Sequence, residues 1–245
     1  MAPIAPAAAD VAFPREGDTI RGYAAWPPAP AASPGLVLVP DVRGLSEHYR
    51  DVARRFAAEG FFTLALDLYS REGPPVLPDM DAVFRWMAAL PDARILGDVA
   101  SAVAYVAARP ETAGRRVGIT GFCLGGQYAL LAACTVPGIA ACVSWYGMLR
   151  YAERTPNRPA SPLDLAPQLA CPYLGLFGAE DPLIPRADIE ELRTILAREG
   201  KVFEIEIYPG AGHAFFNDTR PDAYRPAVAA VAWLRAVAFL RRHLG

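Results

Sequence analysis

Short apolar runs alternate with segments of helical periodicity along this chain, and no other feature constrains its fold as strongly. Interior strands that are apolar throughout are typical of a parallel sheet covered by helices on both faces. Two earlier strand-like segments, 11–14 and 19–27, flank the turn REGD and predict an N-terminal β-hairpin. We therefore predict an α/β fold with a mostly parallel central sheet. The strands after the hairpin are predicted at 35–41, 61–69, 115–122, 139–147, 171–181 and 202–210.

The length and composition are those of one folded unit. The chain has 245 residues, 53% of them hydrophobic, and no internal boundary is evident, so residues 1–245 are predicted to form a single domain. The Ala- and Pro-rich residues 1–10 lack the features of a signal peptide and are expected to form a flexible arm. No apolar run is long enough to span a bilayer. The net charge of −2 gives no field that would attract nucleic acid or an anionic membrane.

The four cysteines show neither paired CxxC spacing nor the spacing of zinc ligands. Scattered cysteines in apolar stretches favour free thiols in a reducing compartment, so a cytoplasmic protein without a metal is expected.

One of these cysteines stands in a distinctive motif. The stretch GFCLGGQ, residues 121–127, directly follows a predicted strand and precedes a predicted helix. Gly-x-Cys-x-Gly has the spacing of the nucleophile elbow of α/β-hydrolases, with Cys123 in place of serine. Small neighbours let such a turn close, and the N-terminus of the following helix favours a thiolate. Because short motifs match by chance, a buried structural cysteine is the alternative interpretation.

Two downstream residues favour the catalytic interpretation. Asp181 follows a predicted strand in GAEDPLIP, and His213 follows another in GAGHAFF. The order nucleophile, acid, histidine is that of the α/β-hydrolases, and all three stand at carboxyl ends of strands, where such sheets bind ligands. His48 and His243 are expected to be solvated surface residues.

With these motifs the chain resembles the dienelactone hydrolase family of the α/β-hydrolase superfamily, also called carboxymethylenebutenolidase-like. The resemblance covers AFPREGDTIRGYAAWP, GFCLGGQYAL, the WYG strand end, GAEDPLIP and YPGAGHAFF. It implies that Cys123 is the nucleophile, His213 the base and Asp181 the group that orients it. The N–H groups of Val42 and Leu124 would then form the oxyanion hole.

The chain departs from the family pattern at Asp41, where a glutamate often holds the resting thiol. Asp41 is one methylene shorter, so it either tunes the thiol or is a loop carboxylate paired with Arg43; both interpretations remain open.

A second departure concerns the substrate. Family members that act on dienelactone bind its carboxylate with arginines, one of them a few residues after the histidine, where this chain has Phe216 and Asn217. A preference for neutral rather than anionic substrates is therefore expected. The expected substrate contacts are Arg43, Trp145, Tyr146, Phe215 and Phe216.

The resulting hypothesis is a thiol hydrolase that cleaves a lactone or activated ester through a Cys-His-Asp triad and a thioester acyl-enzyme. It needs no cofactor, and we expect a monomer or weak homodimer whose partner is a small-molecule ester or lactone. The alternatives are a general carboxylesterase for neutral apolar esters and a non-catalytic relative that binds a small ligand.

Overall fold

One eight-stranded sheet forms the centre of the molecule. The computed structural model describes residues 5–28 and 32–245. The strands lie in the order β1-β2-β4-β3-β5-β6-β7-β8. They are β1 Ala7–Arg15, β2 Asp18–Trp26, β3 Gly35–Val39, β4 Phe62–Leu66, β5 Val117–Phe122, β6 Ile139–Trp145, β7 Tyr173–Gly178 and β8 Phe203–Tyr208.

The sheet is parallel from β4 to β8, and the predicted hairpin is its antiparallel end. β1 pairs antiparallel with β2, which pairs antiparallel with β4; all the other pairs are parallel. The predicted mostly parallel α/β fold is therefore confirmed. Every residue of β3, β4, β5 and β7 is buried, because helices cover these interior strands.

The prediction of a flexible arm over residues 1–10 is wrong for residues 7–10. Residues 7–10 belong to β1 and pair with residues 23–26 of β2. Without this partner, β2 would have an open edge of unpaired backbone groups, and the small exposed alanines give no side-chain signal of the pairing. Residues 1–4 lie outside the described part of the chain.

Seven α-helices lie in the described residues and connect or flank the strands. They are α1 Glu47–Ala58, α2 Met80–Ala89, α3 Asp92–Ala107, α4 Leu124–Thr135, α5 Pro162–Leu165, α6 Arg186–Arg198 and α7 Pro226–Leu244. The helix α4 packs against β5 and β6 and is buried from Leu124 to Cys134. None of the helices in the described ranges is long and apolar enough to cross a membrane.

The segment between β6 and β7 is ordered, and it contains the short helix α5, which the sequence pattern did not predict. Ser161 and Asp164 form a capping box at its start: the Asp164 carboxylate accepts the Ser161 N–H at 2.7 Å. Four residues are too few to show a helical period, which is why only the capping residues could have indicated this helix.

Candidate active site

Cys123 occupies a strained turn between β5 and α4. Its φ of 56° lies in the left-handed region, which is uncommon for any residue other than glycine. The Cys123 N–H donates to the carbonyl of Trp145 at 2.9 Å, which fixes the turn against β6. A Cβ atom at Gly121 would overlap the carbonyl of Gly125, and one at Gly125 would overlap the carbonyl of Val39. The glycines of the motif are therefore required by close backbone contact.

His213 and Asp181 form a buried pair at the neighbouring strand ends. The Nδ1 atom of His213 lies 2.8 Å from Oδ2 of Asp181, whose side chain is fully buried. The other carboxylate oxygen accepts the N–H of Leu183 at 2.9 Å, so the carboxylate is held on both sides. Because a carboxylate only accepts, Nδ1 donates, and Nε2 is the ring nitrogen left for the Cys123 sulfur.

The charge on His213 is set by its two neighbours. Burial by itself lowers the pKa of His213, but the Cys123 sulfur and the Asp181 carboxylate outweigh it and raise the pKa to about 10. The Nε2 atom is buried and has no partner at strict hydrogen-bond geometry within the described ranges. The Cys123 sulfur still lies close enough to raise the pKa of His213 by its charge and as a weak hydrogen-bond partner, and such contacts are often loose in unliganded sites.

Two backbone N–H groups next to Cys123 are available to a ligand. Leu124 is the first residue of α4, so its N–H has no acceptor within the helix. Val42 lies in the loop after β3, and its carbonyl accepts the Tyr69 hydroxyl at 2.8 Å. This bond holds the carbonyl of Val42, a residue that lines the same cavity as Cys123. Of the two predicted oxyanion donors, Leu124 thus lies at the start of α4 and Val42 in the cavity wall.

Asp41 is buried at this cavity rather than exposed. Its Oδ1 accepts the backbone N–H of Arg43 at 2.8 Å, and its residue exposure is 6%. The contact with Arg43 is thus made through the backbone of a buried loop and not at an exposed surface, and the role of Asp41 in tuning the thiol stays a prediction. Its charge also acts on Tyr49, whose pKa is raised well above the usual value by burial and then by Asp41.

Two more residues with positive φ frame the site. Tyr146 has a φ of 40° and Ala214 a φ of 62°. They follow β6 and His213 respectively, so all three strained turns surround the thiol. The Tyr146 ring meets the His213 ring edge-on with centroids 5.2 Å apart. Its hydroxyl is buried without a hydrogen-bond partner among the residues described.

The aromatic residues expected to contact substrate lie behind the site instead. Trp145, Tyr146, Phe215 and Phe216 are all buried to 1% exposure or less, and none lines the cavity at Cys123. The ring centroids of Trp145 and Phe216 are 4.6 Å apart, and Phe216 stacks on Trp233 of α7. The expectation of substrate contact is wrong because Trp145, Phe215 and Phe216 pack in the aromatic core, and the buried Tyr146 ring packs against His213 outside the cavity lining.

The catalytic cavity is the space above Cys123 and encloses about 260 Å³. Its polar wall carries Asp41, Arg43, Cys123, His213 and Arg220, and the rest is mostly apolar. The apolar lining consists of Val42, Met80, Val83, Phe84, Met87, Met148, Pro182, Leu183 and Ala214.

This chain matches the model of the dienelactone hydrolase family over residues 20–244. The chain belongs to the dienelactone hydrolase family. A Bradyrhizobium protein named for 2-oxo-3-(5-oxofuran-2-ylidene)propanoate lactonase activity is 39% identical over 228 residues, 93% of this chain and 91% of the relative. A Salmonella typhimurium protein named as a carboxymethylenebutenolidase is 38% identical over 95% of this chain and 86% of its own.

A solved structure agrees with the sequence relatives. The crystal structure named for a dienelactone hydrolase from Klebsiella pneumoniae is 36% identical, with a TM-score of 0.91 over 98% of this chain and 100% of that chain. The fold is therefore that of the α/β-hydrolases, and the protein is a carboxylic-ester or lactone hydrolase.

Sequence spacing did not predict that Arg220 lines the cavity. Arg220 lines it although it stands seven positions after His213. The loop folds back in two turns, in which Asn217 N–H donates to the carbonyl of Ala214 and Arg220 N–H to the carbonyl of Asn217. The prediction that the loop after His213 brings no arginine to the site is therefore wrong.

Helical periodicity predicts a helix at about residues 81–90, as observed for α2, but not that this helix covers the cavity. Met80, Val83, Phe84 and Met87 of α2 recur at intervals of three and four, the period of one helix face. That stripe is visible in the sequence, but an apolar stripe usually indicates a core-facing helix. Here it faces the catalytic cavity, and Phe84 remains 41% exposed.

His48 is another correction, because it is buried rather than solvated. Its Nδ1 lies 2.9 Å from Oδ1 of Asp218, in the loop that follows His213. The pair joins α1 to this loop and packs at the edge of the Phe216 ring. The loop that carries His213 and Arg220 is thus held from two sides.

Proposed function

We propose that this hydrolase cleaves lactones and activated esters through Cys123, His213 and Asp181, with a thioester acyl-enzyme. The observation that carries the proposal is the buried His213–Asp181 pair at 2.8 Å, next to a thiol in a strained elbow. The raised pKa of His213, about 10, supports an imidazolium beside the sulfur at neutral pH. Such an ion pair supplies the nucleophile in thiol hydrolases.

The proposed reaction has two halves. The Cys123 thiolate attacks the carbonyl carbon, and the N–H groups of Val42 and Leu124 stabilise the oxyanion that develops. The tetrahedral intermediate collapses, the enolate or alkoxide leaves, and His213 supplies the proton that it needs. Water then gives a proton to His213 and attacks the thioester, which releases the acid and the thiolate.

A thiol nucleophile favours substrates with good leaving groups. A thiolate leaves the tetrahedral intermediate more readily than an alkoxide does, so an intermediate with a poor leaving group reverts to substrate. Enol lactones and activated esters expel a stabilised anion and suit Cys123 better than amides or alkyl esters do. Asp41 is buried at the cavity in the position where the family often has glutamate, and we propose that it tunes the thiol.

The two guanidinium groups at the cavity support acceptance of anionic lactones. Arg43 and Arg220 line the same space as Cys123, and Arg220 also contacts Asp222 at 3.1 Å. An arginine that already lies in the site compensates for the desolvation of a carboxylate. The names of the Bradyrhizobium and Salmonella relatives denote lactones of this kind. The neutral preference expected from the sequence thus loses its basis.

The setting proposed for the enzyme is the cytoplasm. All four cysteines are free thiols, which fits a reducing compartment. The reaction proposed here needs no second subunit, and we expect a monomer or weak homodimer.

The test is p-nitrophenyl acetate hydrolysis by Cys123→Ala, His213→Ala and the double variant. Residues that act as one unit give non-additive losses, so each single variant should lower kcat/KM by several orders of magnitude and the double variant by little more. Acid quenching of the wild type should trap an acetylated Cys123 peptide by mass spectrometry. Additive losses, or acetylation elsewhere, would contradict the triad. A folded wild type without esterase activity would instead favour a ligand-binding relative.

The substrate charge is tested separately. The measurement compares kcat/KM for a dienelactone carboxylate with that for its neutral methyl ester, in the wild type and in Arg220→Gln. We expect the wild type to accept the carboxylate and the variant to lose that substrate selectively. If the methyl ester is clearly preferred by both, the enzyme is a carboxylesterase for neutral substrates.

A further inference from the structure

A second cavity adjoins the catalytic one. This side cavity also encloses about 260 Å³, and Phe84, Met87 and Met148 line both spaces. The remaining lining of the side cavity comes from the end of α2 and from the segment after β6. It consists of Ala88, Tyr151, Ala152, Glu153, Thr155 and Arg158. Three apolar side chains are therefore the wall shared by the two cavities.

The shared wall is built from adaptable side chains. Methionine is unbranched and fills or vacates space at low cost, and Phe84 is 41% exposed. The helix α2 buries only Met87, so movement of Phe84 leaves the core intact. Each cavity alone lies just below the range of roughly 300–1,000 Å³ that is usual for ligand pockets, whereas the two joined fall within it.

The far wall of the side cavity holds an unused hydrogen-bond donor. Arg158 is only 7% exposed, and its guanidinium lies 3.6 Å from the centroid of the Tyr151 ring. One nitrogen, Nη2, donates to Oε1 of Gln127 at 3.3 Å, but Nε is buried and has no acceptor in the described part of the chain. Asp92 is the nearby carboxylate, at 4.0 Å from Nε, which is beyond hydrogen-bond distance. A buried donor without an acceptor is costly, so a ligand atom that accepts from it is favoured.

The surrounding charges decide which acceptor fits. Asp92 balances the Arg158 charge, and the side chain of Glu153 lines the same cavity. A ligand carboxylate in the cavity would meet Glu153 and would compete with Asp92 for the Arg158 charge. A neutral carbonyl oxygen accepts the free N–H without that repulsion.

We propose that the side cavity binds an apolar substituent of the substrate that ends in a neutral carbonyl group, while the ester carbonyl lies at Cys123. The substituent passes the Phe84–Met87–Met148 wall. This inference rests on the proposed function, because it assumes that the reacting carbonyl is held at the thiol. It defines the substrate class as lactones or activated esters with a medium-length oxoalkyl substituent.

The experiment uses two series of activated esters, since the substituent can stand on either side of the reacting bond. One series is p-nitrophenyl acetate, octanoate and 7-oxooctanoate. The other is phenyl acetates that carry a methyl, octyl or 7-oxooctyl group in the para position. In at least one series, kcat/KM should rise roughly a hundredfold from the short to the long member, as expected for burying several methylenes. The terminal oxo group should add roughly a further tenfold.

Two variants on adjacent positions separate the side cavity from general hydrophobic preference. Ala88 lines the side cavity, whereas Ala89 lines neither cavity, and both are exposed residues of α2. Ala88→Trp should lower the ratio of long-chain to short-chain kcat/KM about tenfold or more, and Ala89→Trp should leave that ratio as in the wild type. Arg158→Met should remove the advantage of the oxo group and keep the advantage of chain length.

The outcomes distinguish this inference from the proposed function. A flat chain-length profile in both series, or equal effects of Ala88→Trp and Ala89→Trp, overturns the side-cavity proposal while Cys123-dependent acetate hydrolysis upholds the triad. An oxo advantage that persists in Arg158→Met overturns the role of the guanidinium. If Arg158→Met does not fold, a 7-oxooctanoate preference lost in Ala88→Trp supports the proposal and one retained there overturns it. Acetate hydrolysis that survives in Cys123→Ala means that the proposed function itself is wrong.

Discussion

Replacing Asp181 with asparagine should lower the pKa of His213 and slow catalysis without unfolding the protein. Asparagine keeps the shape of the buried side chain but lacks the negative charge of the carboxylate that accepts the hydrogen bond from His213 at 2.8 Å. A hydrogen bond to a charged group contributes about 1.5–3 kcal/mol, and one pH unit of pKa corresponds to about 1.36 kcal/mol. The pKa of His213, now raised to about 10, should therefore fall by about one to two pH units in Asp181→Asn. The direction follows because the carboxylate stabilises the protonated imidazole more than it stabilises the neutral one.

NMR titration of the histidine ring protons measures this change directly, because the chain has only three histidines. Asp218→Asn is the matched control: it removes the carboxylate that contacts His48 at 2.9 Å and should leave the His213 titration unchanged. In Asp181→Asn, kcat/KM should fall by about 10²–10⁴, the usual contribution of general acid–base catalysis. An unchanged His213 titration, or activity close to that of the wild type, would refute the assignment of Asp181 as the orienting acid.

Three other results are expected. Iodoacetamide should label Cys123 first, because burial raises the pKa of the other three thiols. Mass mapping that finds another cysteine labelled faster, with activity intact, would contradict this. Gly125→Ala should lower the free energy of unfolding by about 1–3 kcal/mol or more, because the added methyl overlaps the carbonyls of Val39 and Pro40; an unchanged Tm would show that the elbow can relax. Asp41→Asn should shift the pH dependence of Cys123 alkylation, and an unchanged profile would mean that Asp41 serves only its turn.

The strands were predictable because each interior one is an uninterrupted apolar run. The start of α3 could not be predicted in this way. Periodicity predicts that the helix begins at about residue 96, whereas it begins at Asp92. Asp92 accepts hydrogen bonds from Tyr128 and Tyr151, so a charged residue that looks like part of a loop is buried in the core. Such a long-range partner leaves no trace in the local sequence.

The candidate triad could be assembled from chain order, because parallel strands bring their carboxyl ends to one edge. Side-chain direction could not be inferred in the same way. Phe215 and Phe216 are neighbours of His213 in sequence, yet both point into the core. Arg220 is farther along the chain, yet two turns return it to the cavity. Proximity in sequence therefore identified the loop but not which of its residues face the substrate.

The two helices beside the thiol differ in how freely their residues can be exchanged. The nucleophile helix α4 is buried from Leu124 to Cys134, so almost any change of volume there disturbs packing on several sides. The helix α2 faces the same cavity with Met80, Val83 and Phe84, none of which is buried. Mutational libraries confined to these three positions should therefore yield many folded enzymes with new substrate ranges. In evolution as in the laboratory, substitutions in α2 can therefore change the substrate range while the residues around Cys123 stay unchanged.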